Sequence, residues 1–248
     1  MDDIELARHL ADGAGRILLD LRAGGAFSGK ELGKAGDSRA NVWLMDQLAR
    51  HRPDDGVLSE ETKDTPARLS RSRVWIIDPV DGTREYGEGR TDWAVHVGMA
   101  VDGHASLGAV ALPGMDLILD SADPPDVPKP ASPLRLVVSR TRPSAEAVKV
   151  AEKLDAELVP MGSAGAKAMA VVRGEADIYL HSGGQYEWDN CAPVAVAEAA
   201  GLHCSRIDGS ALRYNNEDTY LPDLLICPAT LADPILAMIA ELELPEAG

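Results

Sequence analysis

Trp75-Ile76-Ile77-Asp78-Pro79-Val80-Asp81-Gly82-Thr83-Arg84-Glu85-Tyr86 carries an apolar strand straight into two carboxylates and a small-residue turn. The aliphatic run predicts a rigid, buried strand, and Pro79 fixes its own φ while keeping Asp78 extended. Asp78 and Asp81, three positions apart, can then converge on one point, which suits a divalent cation. Gly82 lets the backbone come close to a ligand. A helical turn starting at Thr83 would aim free N–H groups at the same point and favour an anion there. The alternative is an ordinary strand followed by an Asp-Gly turn, since these are common turn formers.

The chain has 248 residues, enough for one large domain or two small ones, and 45% of them are hydrophobic, as in a globular protein. Its formal charge of −16 argues against nucleic-acid polymers and anionic membranes as partners, because both need a basic face to release counterions. A phosphate ester is compatible with that charge only if cations held by carboxylates intervene. No run of about eighteen apolar residues is present to span a bilayer. Met1-Asp2-Asp3 opens an amphipathic helix rather than a signal peptide, so a cytoplasmic location is expected. Cys191, Cys204 and Cys227 have no paired spacing, which indicates reduced thiols rather than a disulfide framework or zinc site. The histidines are scattered, and no phosphate-binding P-loop, nucleophile elbow or dinucleotide fingerprint occurs.

Ile4, Ala7, Leu10, Ala11, Ala14, Leu18 and Leu21 recur at helical spacing, which predicts a helix over 2–22 that Gly24-Gly25 ends. A second helix is expected from the capping pair Asp37-Ser38 to about Arg50. Val57–Ser59 and Val74–Ile77 read as strands that deliver acidic residues at their ends. Trp93–Val101 and Ala105–Leu112, joined by Asp102-Gly103, read as a hairpin that Leu117–Leu119 extends into a meander. Pro124, Pro125, Pro128, Pro130 and Pro133 make residues 123–133 a stiff connector between an α+β half over 1–122 and an α/β half over 134–248. In the second half, strands at Leu134–Val138, Leu158-Val159, Ala176–Leu180 and Leu224–Cys227 alternate with helices. These follow Pro143-Ser144, run through Lys167 and Met169, end at Gly201, and start at Leu231. Asp189 is expected to open the third, as a first-turn acid that complements the helix dipole, with Pro193 still inside the first turn.

The string Asp78-Pro79-Val80-Asp81-Gly82-Thr83, preceded by Ser59-Glu60-Glu61 and followed by Glu187-Trp188-Asp189, resembles the magnesium-dependent, lithium-sensitive phosphatase family of inositol monophosphatase and fructose-1,6-bisphosphatase. The resemblance spans nearly the whole chain. Within it, Thr83-Arg84-Glu85-Tyr86 looks most like the CysQ branch of 3'(2'),5'-bisphosphate nucleotidases. The resemblance implies a five-layer α-β-α-β-α sandwich, an α/β (α+β) fold with the site between its halves. It also implies a ligand set of Glu60, Asp78, the Val80 carbonyl, Asp81 and Asp189 for two or three Mg2+ ions, and oxygen-only donors agree with magnesium rather than zinc. Glu60-Glu61 otherwise reads as an exposed acidic pair.

Asp37 and Thr83 are expected to hold and deprotonate the attacking water, although Lys34-Ala35-Gly36 stands where the family carries a threonine, and a plain helix cap is the alternative for Asp37. Glu60, Gly82, Thr83 and Asp189 are expected to face the substrate. Ser163 is expected at sugar hydroxyls or as a capping serine, and Lys167 at a second phosphate or in solvent. Arg84 reaches either a phosphate or an acidic neighbour such as Glu88. The activity implied is hydrolysis of the 3'-phosphate of adenosine 3',5'-bisphosphate, or of its sulfated precursor, in sulfate assimilation. Inositol-1-phosphate and fructose-1,6-bisphosphate are the alternative substrates, and a homodimer is common in the family.

Overall fold

In the computed structural model, which describes residues 1–242, two five-stranded sheets alternate with three layers of helices. The first helix, α1 (Asp3–Ala23), is started by Asp2, whose carboxylate accepts the Glu5 N–H at 2.9 Å while Glu5 accepts the Asp2 N–H at 3.0 Å. Its buried stripe of Leu6, Leu10, Ala14 and Leu18 faces the first sheet. Each such leucine contributes roughly 1.5–3 kcal/mol on burial.

The second helix, α2 (Gly29–His51), starts eight residues before the expected Asp37-Ser38 cap, so Asp37 lies inside the helix and is buried. The intervening segment holds Gly29, Gly33 and Gly36, poor helix formers. Contact explains their use. A Cβ on Gly33 would stand 2.6 Å from Thr83, and one on Gly36 would stand 2.8 Å from Tyr86, so the glycines let α2 lie against the 83–87 segment.

The first sheet has the order β1 (Gly56–Ser59), β2 (Arg73–Asp81), β3 (Ala94–Val101), β4 (His104–Leu112), β5 (Leu117–Asp120). β1 runs parallel to β2 and the remaining pairs are antiparallel, with Asp102-Gly103 in the β3–β4 turn as expected. β2 continues past Ile77 to Asp81, and its register with β3 shifts between Asp78 and Asp81. A short α3 (Thr83–Gly87) follows.

After residues 123–133 come β6 (Arg135–Ser139), α4 (Ala145–Leu154), β7 (Glu157–Met161), α5 (Ala164–Val172), β8 (Ile178–Ser182), α6 (Glu187–Ala199), β9 (Leu202–Ser205), β10 (Asp223–Pro228) and α7 (Ala229–Ala240). The second sheet has the order β7-β6-β8-β10-β9, with β6 parallel to both its neighbours and β10 antiparallel to both of its own. β9 was not expected; it is four residues long and lies at the sheet edge, too short to show a pattern in sequence.

α1 and α2 cover one face of the first sheet, α5 and α6 fill the space between the sheets, and α4 and α7 cover the far face of the second. The five-layer sandwich implied by the sequence is therefore present. The middle layer is held close by two glycines. A Cβ on Gly98 would stand 2.9 Å from the Ala192 N, and one on Gly108 would stand 2.5 Å from the Ala192 O. Thus β3 and β4 accept the backbone of α6 with no side chain between. Pro193 lies in the interior of α6 rather than its first turn, because the helix begins at Glu187, and it offers no N–H to the Asp189 carbonyl.

Candidate active site and metal centre

β2 delivers Asp78 and Asp81 at its end, and the first turn of α6 delivers Asp189 from the other half of the chain. One carboxylate oxygen from each lies within 4.8 Å of the other two. Three carboxylates so close repel one another. Burial, with the charges of Glu60, Asp81 and Asp189, pushes the Asp78 carboxyl well above the usual carboxylate range. Asp189 is pushed up to about 7, by burial first and by Asp81 next. A hard cation would relieve this repulsion, and an all-oxygen donor set is what such a cation prefers.

Asp81 is the exception, ionised and pinned. Burial alone would raise its carboxyl, but the charges of His96 and Lys167 and a hydrogen bond from Ser163 outweigh it and hold the pKa at about 2. Its oxygens accept the N–H groups of Ala164 at 3.0 Å and Gly165 at 2.5 Å, at the start of α5, as well as the Ser163 hydroxyl. His96, fully buried, pairs Nδ1 with the Trp188 carbonyl at 2.9 Å. Its Nε2 stands 3.1 Å from Asp81 Oδ2, near enough for an ion pair but not aligned for a hydrogen bond. A Cβ on Gly165 would fall 2.0 Å from that nitrogen, so glycine is required where α5 meets the ring.

Val80 N–H donates to Asp78 Oδ1 at 3.0 Å, which orients the carboxylate within its own turn. The Val80 carbonyl accepts the Thr83 hydroxyl at 3.1 Å, while Asp37 Oδ1 is 3.5 Å from that hydroxyl. Gly82 between them has φ +84°. Asp37 is pushed up to about 8, chiefly by burial and then by the charges of Glu61 and Glu60. Glu60 is open to solvent as a residue, yet its carboxyl interacts with Asp78. Burial and then Glu61 and Asp81 raise it, against that interaction. It is not one of the three carboxylates in the tight cluster. Beside Asp37 and Thr83 opens a cleft of about 790 Å³ lined also by Lys30, Lys34, Glu61 and Arg84.

The structure thus brings Asp78, Asp81 and Asp189 into one cluster, with the charges of Glu60 and Asp37 near enough to raise Asp78 and with the Thr83 hydroxyl between Asp37 and the Val80 carbonyl. Of two further residues, Ser163 takes the capping place that was one of its two expected ones, and Lys167 takes neither of its own. Ser163 turns its hydroxyl to Asp81 and caps α5 through the Ala166 N–H at 3.0 Å, rather than standing free for a sugar. Lys167 is buried, with its ammonium on the Gly162 and Ser163 carbonyls and 5.4 Å from the Tyr179 ring centroid, rather than open to a phosphate or to solvent. Ser163 is bonded to Asp81, and the charge of Asp81 acts on Lys167 without direct contact. Arg84 pairs with Glu88 at 2.8 Å. Glu187 is wholly buried and accepts the N–H groups of Asn215 and Asn216 at 2.6 and 2.8 Å, so it anchors a loop. His96 is one of the scattered histidines of the sequence, and no spacing rule links it to Asp81, fifteen residues away on a neighbouring strand.

Comparison with known proteins matches this architecture to its relatives. The chain is 47% identical to the 3'-phosphoadenosine 5'-phosphate phosphatase of Mycobacterium leprae, over 98% of this chain and 95% of that one. It is 49% identical to the enzyme of that name from Mycobacterium tuberculosis, over 92% and 90%. It is also 30% identical to the 3'(2'),5'-bisphosphate nucleotidase CysQ of Escherichia coli, over 75% and 81%. Among solved structures, CysQ from Bacteroides thetaiotaomicron superposes with a TM-score of 0.77 at 23% identity, covering 91% of this chain and 96% of that one. Inositol monophosphatase II from Staphylococcus aureus superposes with a TM-score of 0.81 at 19%, covering 96% and 95%. With the family profile matching residues 4–124, which hold Asp78 and Asp81, and 127–243, which hold Asp189, this chain belongs to the inositol monophosphatase family.

Proposed function

We propose that this protein is a magnesium-dependent phosphomonoesterase that removes the 3'-phosphate of adenosine 3',5'-bisphosphate, and of its sulfated precursor, in sulfate assimilation. The convergence of Asp78, Asp81 and Asp189 from both halves of the chain carries the reading. The names of relatives at 47–49% identity over nearly the full length support the substrate.

Glu60, Asp78, Asp81, Asp189 and the Val80 carbonyl would hold the magnesium ions. Bound there, magnesium neutralises phosphate charge and lowers the pKa of water. Thr83 and Asp37 orient the attacking water. Burial and then the unrelieved charges of Glu61 and Glu60 keep a proton on Asp37, which accepts the proton the water loses once those charges are offset and it is ionised. The turn amides of Gly82 and Thr83 align the phosphate for in-line attack. The new bond joins water oxygen to phosphorus, and the bond from phosphorus to the 3' oxygen breaks. That oxygen gains a proton, so the products are adenosine 5'-phosphate and inorganic phosphate. Ser163 and Lys167 act from beneath, keeping Asp81 in place for its ligand role. Free thiols at Cys191, Cys204 and Cys227 support a reducing, cytoplasmic setting.

The test is phosphate release, with kcat/KM compared for adenosine 3',5'-bisphosphate, inositol-1-phosphate and fructose-1,6-bisphosphate. The nucleotide is expected to lead, release is expected to need magnesium, and Asp81→Asn is expected to cut it by about a hundredfold or more. Preference for inositol phosphate would reject the nucleotide assignment.

A further inference from the structure

Beside the acidic centre, two tyrosine rings face solvent. Tyr186 and Tyr220 are 41% and 44% exposed, and they are the aromatic members of the exposed large hydrophobic side chains among the described residues. They touch each other edge to face, with centroids 5.4 Å apart. Tyr186 also stacks nearly parallel on Trp188, at 4.8 Å and 8°. An isolated exposed tyrosine needs no explanation, but a contiguous aromatic patch next to a reactive centre calls for a ligand.

The patch is held rigidly. Tyr186 and Tyr220 form an isolated antiparallel bridge, Leu221 N–H donates to the Gln185 carbonyl at 3.0 Å, and Glu187 N–H donates to the Thr219 carbonyl at 2.9 Å. Tyr220 also accepts the Gly184 N–H at its hydroxyl, at 3.1 Å. Gly183 and Gly184, just before Tyr186, have open space where a Cβ would stand. The link to the chemistry is direct, because the Tyr186 backbone N–H donates to Asp189 Oδ2 at 2.7 Å. The helix cap that carries the Tyr186 ring thus also binds a carboxylate of the acidic centre, and Tyr220 is bridged to that same tyrosine.

We infer that Tyr186 and Tyr220 form the platform on which the nucleobase of the substrate stacks, and so set the preference for a nucleotide over other phosphate esters. This rests on the phosphatase reading above. Stacking suits a strongly acidic protein, since a neutral base is not repelled by the charge that magnesium must offset at the phosphate.

The experiment compares adenosine 3',5'-bisphosphate with 1-O-methylribose 3,5-bisphosphate, which keeps both phosphates and the sugar but lacks the base. Wild-type protein is expected to favour the nucleotide in kcat/KM by about tenfold or more. Tyr186→Ala and Tyr220→Ala are expected to raise KM for the nucleotide by about tenfold while leaving the base-free ester within about threefold, and Tyr186→Phe is expected to retain wild-type KM. Unchanged turnover of the base-free ester certifies the fold of each variant. The cap on Asp189 uses the Tyr186 backbone, so it survives these changes. Equal use of the two esters by the wild type, or equal loss on both in Tyr186→Ala, overturns the platform while leaving the phosphatase intact. Hydrolysis of neither ester by the wild type overturns both readings.

Discussion

Gly82 sits at φ +84°, a backbone region that costs other residues about 1–2 kcal/mol, and a Cβ there would stand 3.0 Å from Ser163 Cβ. Gly82→Ala is thus expected to lower the melting temperature by a few degrees, roughly as its strain dictates. It is also expected to weaken magnesium binding about tenfold by shifting the loop that holds Asp81. Thermal unfolding with and without magnesium checks both effects. Asp37 makes a different prediction because it lies inside α2 beside Thr83 rather than at a helix end. Asp37→Asn should keep the fold and lower kcat by about 10² or more with little change in KM. Unchanged kcat would remove Asp37 from the reaction. Asp78, Asp81 and Gly82 were legible in the sequence because their chemistry is local, within one strand and turn. The roles of Ser163 and Lys167 were not, since both answer to a carboxylate more than eighty positions earlier.

At the scale of elements, the long amphipathic stripes and the Asp-Gly hairpin were readable from periodicity and turn chemistry. What escaped notice depends on contact between elements. The start of α2 looks helix-averse until Gly33 and Gly36 are seen against Thr83 and Tyr86. Pro193 in mid-α6 is tolerated inside a packed layer where Cys191, Ala192 and Val194 are buried. Gly98 and Gly108 admit the α6 backbone at Ala192, a contact between elements that no local pattern announces. Gly108→Ala would force that helix outward against backbone atoms, with an expected cost of about 1–3 kcal/mol in urea unfolding. Because α6 carries Asp189, magnesium affinity is expected to fall as well. A variant of unchanged stability would mean that the helix can slide freely.

For the whole molecule, the crowded carboxylates set how stability responds to pH when magnesium is absent. Asp189 at about 7 and Asp37 at about 8 hold protons in the folded state that the unfolded chain gives up near the ordinary carboxylate range. A raised pKa of this kind makes folding most favourable below about 4, and that contribution is lost as pH rises through 7 to 8. Asp81, held at about 2, works oppositely, and its contribution disappears only as pH falls through that value. The protein stripped of divalent ions with a chelator is therefore expected to lose melting temperature between pH 5 and 8. Added magnesium should restore it increasingly over the same range while displacing protons. Calorimetry in buffers of different ionisation enthalpy reads that release. A flat profile would mean that these carboxylates are not coupled.

Asp81 reaches the start of α5 from the end of β2, and Asp189 arrives on a helix lodged between the two sheets. Neither portion of the polypeptide owns the cation trap. Closing the acidic cluster thus doubles as a certificate of complete assembly, since a chain with one sheet built and the other still unformed would lack at least one of its three carboxylates.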